Sequence, residues 1–297
     1  MRYTLYIVLA AVLWSTGGLG VKSVDVPSLA LAGLRSAFAL PVLALALAFG
    51  SKREIMLTVR RPLVWGAALS YAVMVVSFVI AAKLTTAANA IILQYTGPIY
   101  VALLSWPLLR ERVGRADIAA TAGCAFGMVL FFFDRVSSAG RIGDLVAMVS
   151  GVGFAGVPLL MRLDHARAPQ QEAPARTGPL VAMVLGNALA CASCLVATAV
   201  QTPGIAEVVQ SISQKGWATI AFLGVFQIGM AYVLYAAAVN MLPALRSSLI
   251  ATIEPILNPL WVALVRGEKP TRWAAIGGAV ILVSVTAQAI TRRSRST

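Results

Sequence analysis

The chain has 297 residues, 59% hydrophobic and 12% charged, with a mean hydropathy of +0.85 and a formal net charge of +13. Soluble domains carry roughly 45–50% apolar and about 25% charged residues, so this composition excludes a water-soluble domain and indicates a membrane protein. A β-barrel would need segments of about ten residues alternating between lipid and lumen, and that alternation is absent. Nucleic acid is excluded as a partner because the basic residues fall in small groups between apolar runs, where they act as topology determinants.

Ten apolar segments follow one another, each long enough to span roughly 30 Å of hydrocarbon as a helix. The first, Tyr3 to Val21, contains Trp14 and Ser15. Its length and the similar runs behind it read as an uncleaved first helix rather than a signal peptide. The second, Ser28 to Phe49, carries Arg35 about eight residues in. There a long cationic side chain is expected to snorkel to the headgroups, the alternative being capture of an anionic group such as a substrate carboxylate. Leu63 to Ala82 brings Ser70, Tyr71, Ser77 and Phe78, and Ala87 to Leu109 brings Asn89, Gln94, Tyr95, Pro98 and Tyr100. The fifth segment, Ala116 to Phe133, holds Cys124.

The sixth, Leu145 to Met161, contains Phe154 and the glycines Gly151, Gly153 and Gly156, which suit close approach of helices. His165, the one histidine, is expected in the loop beyond it, with neither a triad nor a metal cage apparent. The seventh, Pro179 to Val200, holds Asn187 and the pair Cys191 and Cys194; outside a βαβ or zinc context these read as small packing residues. The eighth, Ala218 to Val239, carries Gln227, Tyr232 and Tyr235. The ninth, Ser247 to Val265, follows Arg246, a residue placed to pair a lipid phosphate or help admit an anion, and contains Glu254, Pro255, Asn258 and Pro259. The tenth runs from Trp273 to Ile290. With the N-terminus inside, 15 Lys and Arg fall in inner segments and 8 in outer ones, which places both termini in the cytoplasm.

The two halves align. Moving the chain by 157 residues lays "YTGPIYVALLSWPLLRER" on "TIEPILNPLWVALVRGEK", so that Pro98 meets Pro255, Ile99 meets Ile256 and Arg115 meets Arg272. In the same register Gln227 falls on Ser70 and Tyr235 on Phe78; a register near 140 sets Trp14 on Phe154. Two repeats of five helices, 1–140 and 141–297, must enter the membrane from opposite sides because five is odd. The fold class expected is an all-α polytopic bundle of ten transmembrane helices in two inverted five-helix repeats.

The stretches "VLWSTGGLGVK", "LRSAFALPVLAL", "GPIYVALLSWPLLRERVG" and "LRSSLIATIEPILNPLWVALVRGEKPT" resemble the EamA repeats of the drug/metabolite transporter superfamily over essentially the whole chain. The resemblance implies a central substrate cavity, lined by helices 1, 3, 4, 6, 8 and 9, and alternating access by rocking of the halves. "LWST" near the N-terminus is similar to the YddG-type exporters of aromatic amino acids.

Candidate site residues come from what a bilayer penalises. A carboxylate near the midplane costs several kcal/mol unless paired, protonated or facing water, which singles out Glu254. Pro98, Pro255 and Pro259 remove backbone donors and break their helices, and irregular backbone at that depth belongs beside a cavity. Ser247, Ala251, Glu254 and Asn258 share one helical face. A packing role, with Glu254 bonded to a neighbouring helix, remains the alternative. Mid-membrane Ser15, Ser77, Asn89, Gln94 and Gln227 should face the interior, and Trp14, Tyr71, Phe78, Tyr95, Phe154, Tyr232 and Tyr235 supply apolar wall.

No phosphate-cradling loop, metal cluster or catalytic constellation is present, so no enzyme activity and no cofactor are expected. The partners expected are the bilayer and a small-molecule substrate, an amino acid with an aromatic or other apolar side chain or a similar metabolite. A carrier of phosphorylated or nucleotide-linked sugars, a carrier of cationic drugs, and a scaffold that transports nothing are the competing readings.

Overall fold

The computed structural model describes the chain except residues 1, 86, 111–112, 132, 134–139, 168–176, 203, 258–260, 262–271 and 294–297. The described residues form helices and turns without a strand. In order these are α1 (Arg2–Trp14), α2 (Gly17–Ser23), α3 (Ser28–Ala48), α4 (Lys52–Val59), α5 (Pro62–Leu84), α6 (Ala87–Gln94), α7 (Gly97–Leu109) and α8 (Arg115–Phe131). There follow α9 (Arg141–Arg167), α10 (Thr177–Ala199), α11 (Ile205–Ser211), α12 (Gln214–Phe222), a π-helical segment (Leu223–Met230), α13 (Ala231–Ala236) and a 3₁₀ turn (Val239–Met241). The last are α14 (Ala244–Ala251), α15 (253–257) and α16 (Arg272–Arg293).

Among the described residues six helical stretches are long and apolar enough to cross a membrane: Arg2–Ser23, Ser28–Ala48, Pro62–Leu84, Arg141–Arg167, Thr177–Ala199 and Gln214–Met241; Gly97–Leu109 and Ala275–Gln288 are shorter apolar helices. The protein is therefore an all-helical polytopic membrane protein.

Three helical stretches are interrupted where the sequence supplies competing hydrogen-bond groups or removes a donor. Between α1 and α2, the Ser15 and Thr16 hydroxyls donate back to the carbonyls of Val12 and Leu13 at 2.6 and 2.7 Å. Between α6 and α7, Thr96 donates to the Leu93 carbonyl at 2.6 Å, and Pro98 sits in the first turn of α7, where its missing N–H costs nothing. Between α14 and α15, Thr252 donates to the Leu249 carbonyl at 2.6 Å, three residues before Pro255. The last two breaks stand in the 157-residue register, Tyr95 against Thr252. Each of these two lies within one turn before its proline, because a proline at position i deprives the carbonyl at i−4.

Packing is close and uses small residues, as it must where lipid offers no hydrophobic drive between helices. Residues Gly153 and Gly156 bring α9 against Ser70 and Met74 of α5, while Gly123 and Gly127 bring α8 against Ser284 and Ile281 of α16. One correction concerns the end of the sixth apolar segment. The helix α9 continues to Arg167, so His165 lies in its last turn rather than in a loop. Two polar contacts hold that turn: Arg61 donates to Asp164 Oδ2 at 3.4 Å, and Arg162 donates to the Asn240 carbonyl at 2.6 Å.

Candidate substrate chamber

The site is built at the two breaks in register. Pro255 has no N–H, so the Ala251 carbonyl one turn earlier has no helical donor. The Tyr95 hydroxyl, at the other break, lies 3.0 Å from that carbonyl and 2.6 Å from Glu254 Oε2. One phenolic proton therefore serves a backbone acceptor and a carboxyl oxygen together. It ties α14 and α15 to the junction of α6 and α7 and fixes where Glu254 points.

Glu254 lines a chamber with Trp14, Arg35, Met74, Val75, Phe78, Gln94, Phe154, Gln227, Ile228 and Tyr232. Arg35 corrects the snorkelling expectation. It is 2% exposed, held inside the bundle, and its Nη2 donates to the Val75 carbonyl at 3.2 Å. Its Nε and Nη1 are buried without a partner. At this point α3 touches the π-helical segment: a Cβ on Gly224 would sit 2.5 Å from the Arg35 carbonyl oxygen and clash with Phe38. Arg35 and Glu254 face one chamber without forming an ion pair, since the bonds of the one go to Val75 and of the other to Tyr95.

The π-helical segment also presents Gln227. Its Nε2 makes a long contact, 3.5 Å, with the Trp14 carbonyl, and its Oε1 has no partner. Short π-helical insertions in α-helices frequently mark functional sites because the extra residue re-aims a side chain. Gln94 is better held: its Oε1 accepts from Ser150, which also donates to the Met74 carbonyl at 2.9 Å.

A second chamber adjoins the first and shares Trp14, Met74, Phe154 and Tyr232 with it; its own lining is Val157, Pro158, Tyr235, Ser247, Ser248 and Ala251. The hydroxyls of Ser247 and Ser248 are buried without a partner. An aromatic cluster divides the chambers. The rings of Trp14 and Tyr232 are 4.9 Å apart, Trp14 and Tyr235 5.4 Å, Tyr95 and Phe154 5.3 Å. Behind Tyr232, Tyr71 meets it edge-on at 4.7 Å and accepts from Asn187 Nδ2 at 3.0 Å.

Of the residues singled out in the sequence, the structure brings Trp14, Arg35, Phe78, Gln94, Phe154, Gln227 and Glu254 to the first chamber and Tyr235 to the second. Tyr95 stands one hydrogen bond behind the wall, at Glu254, and Tyr71 one ring contact behind it, at Tyr232. Ser15, Ser77 and Arg246 line neither chamber; Ser15 accepts from Trp261 Nε1 at 2.7 Å instead. The side chain of Asn89, together with Asn258 and Pro259, lies outside the described residues. Pro98 and Pro255 stand just past the two breaks, and the face shared by Ser247, Ala251 and Glu254 runs along both chambers. Met74 and Ser248 were not singled out. Met74 has no polar signature, and Ser248 is distinguished from Ser247 only by its neighbours in space.

Interrupted helices around a chamber that mixes apolar and polar side chains are the architecture of solute transporters. Residues 1–133 and 141–287 match the EamA-like transporter family, and the chain belongs to that family, within the drug/metabolite transporter superfamily. It is 28% identical over 287 residues to the uncharacterized transporter YwfM of Bacillus subtilis (strain 168), a likeness covering 92% of this chain and 90% of that protein. A solved crystal structure superposes with a TM-score of 0.75 at 21% identity, covering 99% of both chains, which shows the fold. The protein is thus a multi-pass transporter of the plasma membrane that moves a small-molecule substrate.

Proposed function

We propose that the protein is a secondary transporter exporting small amphipathic metabolites, namely amino acids with aromatic or other apolar side chains, in the manner of the YddG-type exporters. The observation that carries this reading is the first chamber. Four aromatic rings and three aliphatic side chains form its apolar wall beside Gln94 and Gln227, and a cation and a carboxyl group face it without forming an ion pair. Apolar walls with a few convergent polar groups suit a small amphiphilic ligand.

The architecture proposed with it is ten spans in two inverted repeats, 1–140 and 141–297, with both termini cytoplasmic. The matched breaks at Tyr95 and Thr252, the family match in two stretches and the distribution of Lys and Arg support it. In that orientation the first chamber lies toward the outer half of the membrane and the second toward the cytoplasm. Substrate moves between them as the halves rock about the aromatic cluster. A sugar-phosphate carrier would need several converging cations, and among the described residues Arg35 is the one Lys or Arg lining either chamber. A cationic-drug carrier would use Glu254 and the aromatic rings but gains nothing from a buried guanidinium facing the same space.

The test is uptake by proteoliposomes of labelled phenylalanine, tryptophan, leucine, a hexose phosphate and a quaternary ammonium compound, with and without a pH gradient. The aromatic and aliphatic amino acids are expected to move and the other two to stay out. Movement of the phosphate or the ammonium compound alone would replace the proposal by one of its rivals. If a pH gradient drives accumulation that Glu254→Gln loses, Glu254 carries the proton; if the gradient changes nothing, the path is facilitated.

A further inference from the structure

Arg35 and Glu254 approach the first chamber from different helices, α3 and α15, and the hydrogen bonds they make go to Val75 and Tyr95 rather than to each other. The guanidinium is the sharper observation. It lines the chamber, is buried and spends one nitrogen on a backbone carbonyl, and its Nε and Nη1 have no partner among the described residues. A buried cation with open donors is unstable alone and is satisfied by an anion that presents two oxygens side by side, which a carboxylate does. Glu254 is aimed by Tyr95, whose hydroxyl bonds Oε2. The remaining oxygen is available to an N–H donor, and the nearby ring of Tyr232 adds a face that favours a cation.

We infer that this chamber binds both ends of a free α-amino acid at once: Arg35 takes the α-carboxylate, Glu254, held by Tyr95, takes the α-ammonium, and the side chain lies against the aromatic wall. The inference rests on the amino-acid reading above and goes beyond it, because it assigns the two charge-reading residues. It predicts that derivatives lacking either charge are rejected whatever their side chain. A site built to bond a charged group rejects an analogue without that group far more strongly than it distinguishes one methylene, because its own buried polar atoms are then left unpaired.

The experiment is competition against labelled L-phenylalanine in counterflow by the wild-type protein in liposomes, at one fixed pH. The competitors are unlabelled L-phenylalanine, phenylalaninamide (no carboxylate), 3-phenylpropionate (no ammonium) and N-acetyl-phenylalanine. The two singly deleted analogues and the acetyl derivative should compete about 10–100-fold more weakly than phenylalanine. In Arg35→Gln the gap between phenylalanine and its amide should close while the gap to phenylpropionate persists, and Glu254→Gln should do the reverse. If phenylalanine exchanges but the amide and phenylpropionate compete equally well, the inference is overturned and the amino-acid reading stands. If no amino acid exchanges in wild type, the broader reading falls and takes this one with it. The competition in wild type needs no substitution, so it decides between these outcomes even where a variant misfolds.

Discussion

Replacing Arg35 by methionine should raise the melting temperature of the purified protein while cutting transport of its substrate at least tenfold. The two effects have one cause. Arg35 is 2% exposed, and among the described residues its side chain makes one hydrogen bond, to the Val75 carbonyl, to offset the loss of its hydration. Leaving a guanidinium partly unsatisfied in a low-dielectric interior costs several kcal/mol, and an apolar residue of similar length removes that cost. A stabilisation of about 1–3 kcal/mol is expected, on the scale seen when buried charges are replaced by packed apolar side chains. Transport should fall at least tenfold, since the group that receives the substrate anion is gone. Thermal unfolding in detergent and liposome uptake on the same preparation check both signs. A lowered melting temperature with uptake retained would make Arg35 a structural tie between α3 and α5, with no part in binding.

Gly151→Val should be among the most damaging single substitutions in the molecule. A Cβ at this point of α9 would lie 2.9 Å from the Leu93 carbonyl oxygen, 3.0 Å from Thr96 Oγ1 and 3.1 Å from the Gln94 carbonyl oxygen. These atoms form the break between α6 and α7, and two of them are backbone, so no side-chain rotation relieves the contact. Pushing α9 off the break would also displace Phe154 from Tyr95 and loosen the bond that aims Glu254. Overpacking costs roughly 1–3 kcal/mol where the neighbours yield and more where they cannot. Gly204→Ala is the control, its nearest neighbours being at 3.7 and 3.8 Å. The valine variant should unfold at a clearly lower temperature and transport nothing, and the alanine control should match wild type. A valine variant of wild-type stability would mean that the break and α9 separate more easily than their packing indicates.

How much of this was legible in the sequence depends on the kind of signal. The two helix breaks were, because proline lacks an N–H and the same proline recurs after 157 residues. Glu254 was, because a carboxylate within a long apolar run has few acceptable surroundings. The depth of Arg35 was legible but its direction was not. Its helix is apolar nearly all round, so no polar face reveals which side meets the bundle, and the side chain's hydrogen-bond partner, the Val75 carbonyl, lies 40 positions away on another helix. The π-helical segment has no proline or charge to announce it. Its glycines at 224 and 229 acquire meaning only when Phe38 and Val42 are found against them. The last turn of α9 was likewise missed because it is held by Arg61 and Asn240, both distant in the chain. What escaped was long-range contact between helices of similar composition, where hydropathy carries the least information.

The claim most exposed to a direct test is that substrate occupies the first chamber. With the native cysteines replaced, Gln227→Cys puts a thiol on the chamber wall. Its labelling by a small water-soluble maleimide in liposomes is measured with and without L-phenylalanine. The account predicts that the thiol is labelled and that phenylalanine slows the reaction, while phenylalaninamide at the same concentration does not. A thiol that resists labelling altogether, or one that reacts at the same rate with and without phenylalanine in a preparation that transports it, would contradict the assignment.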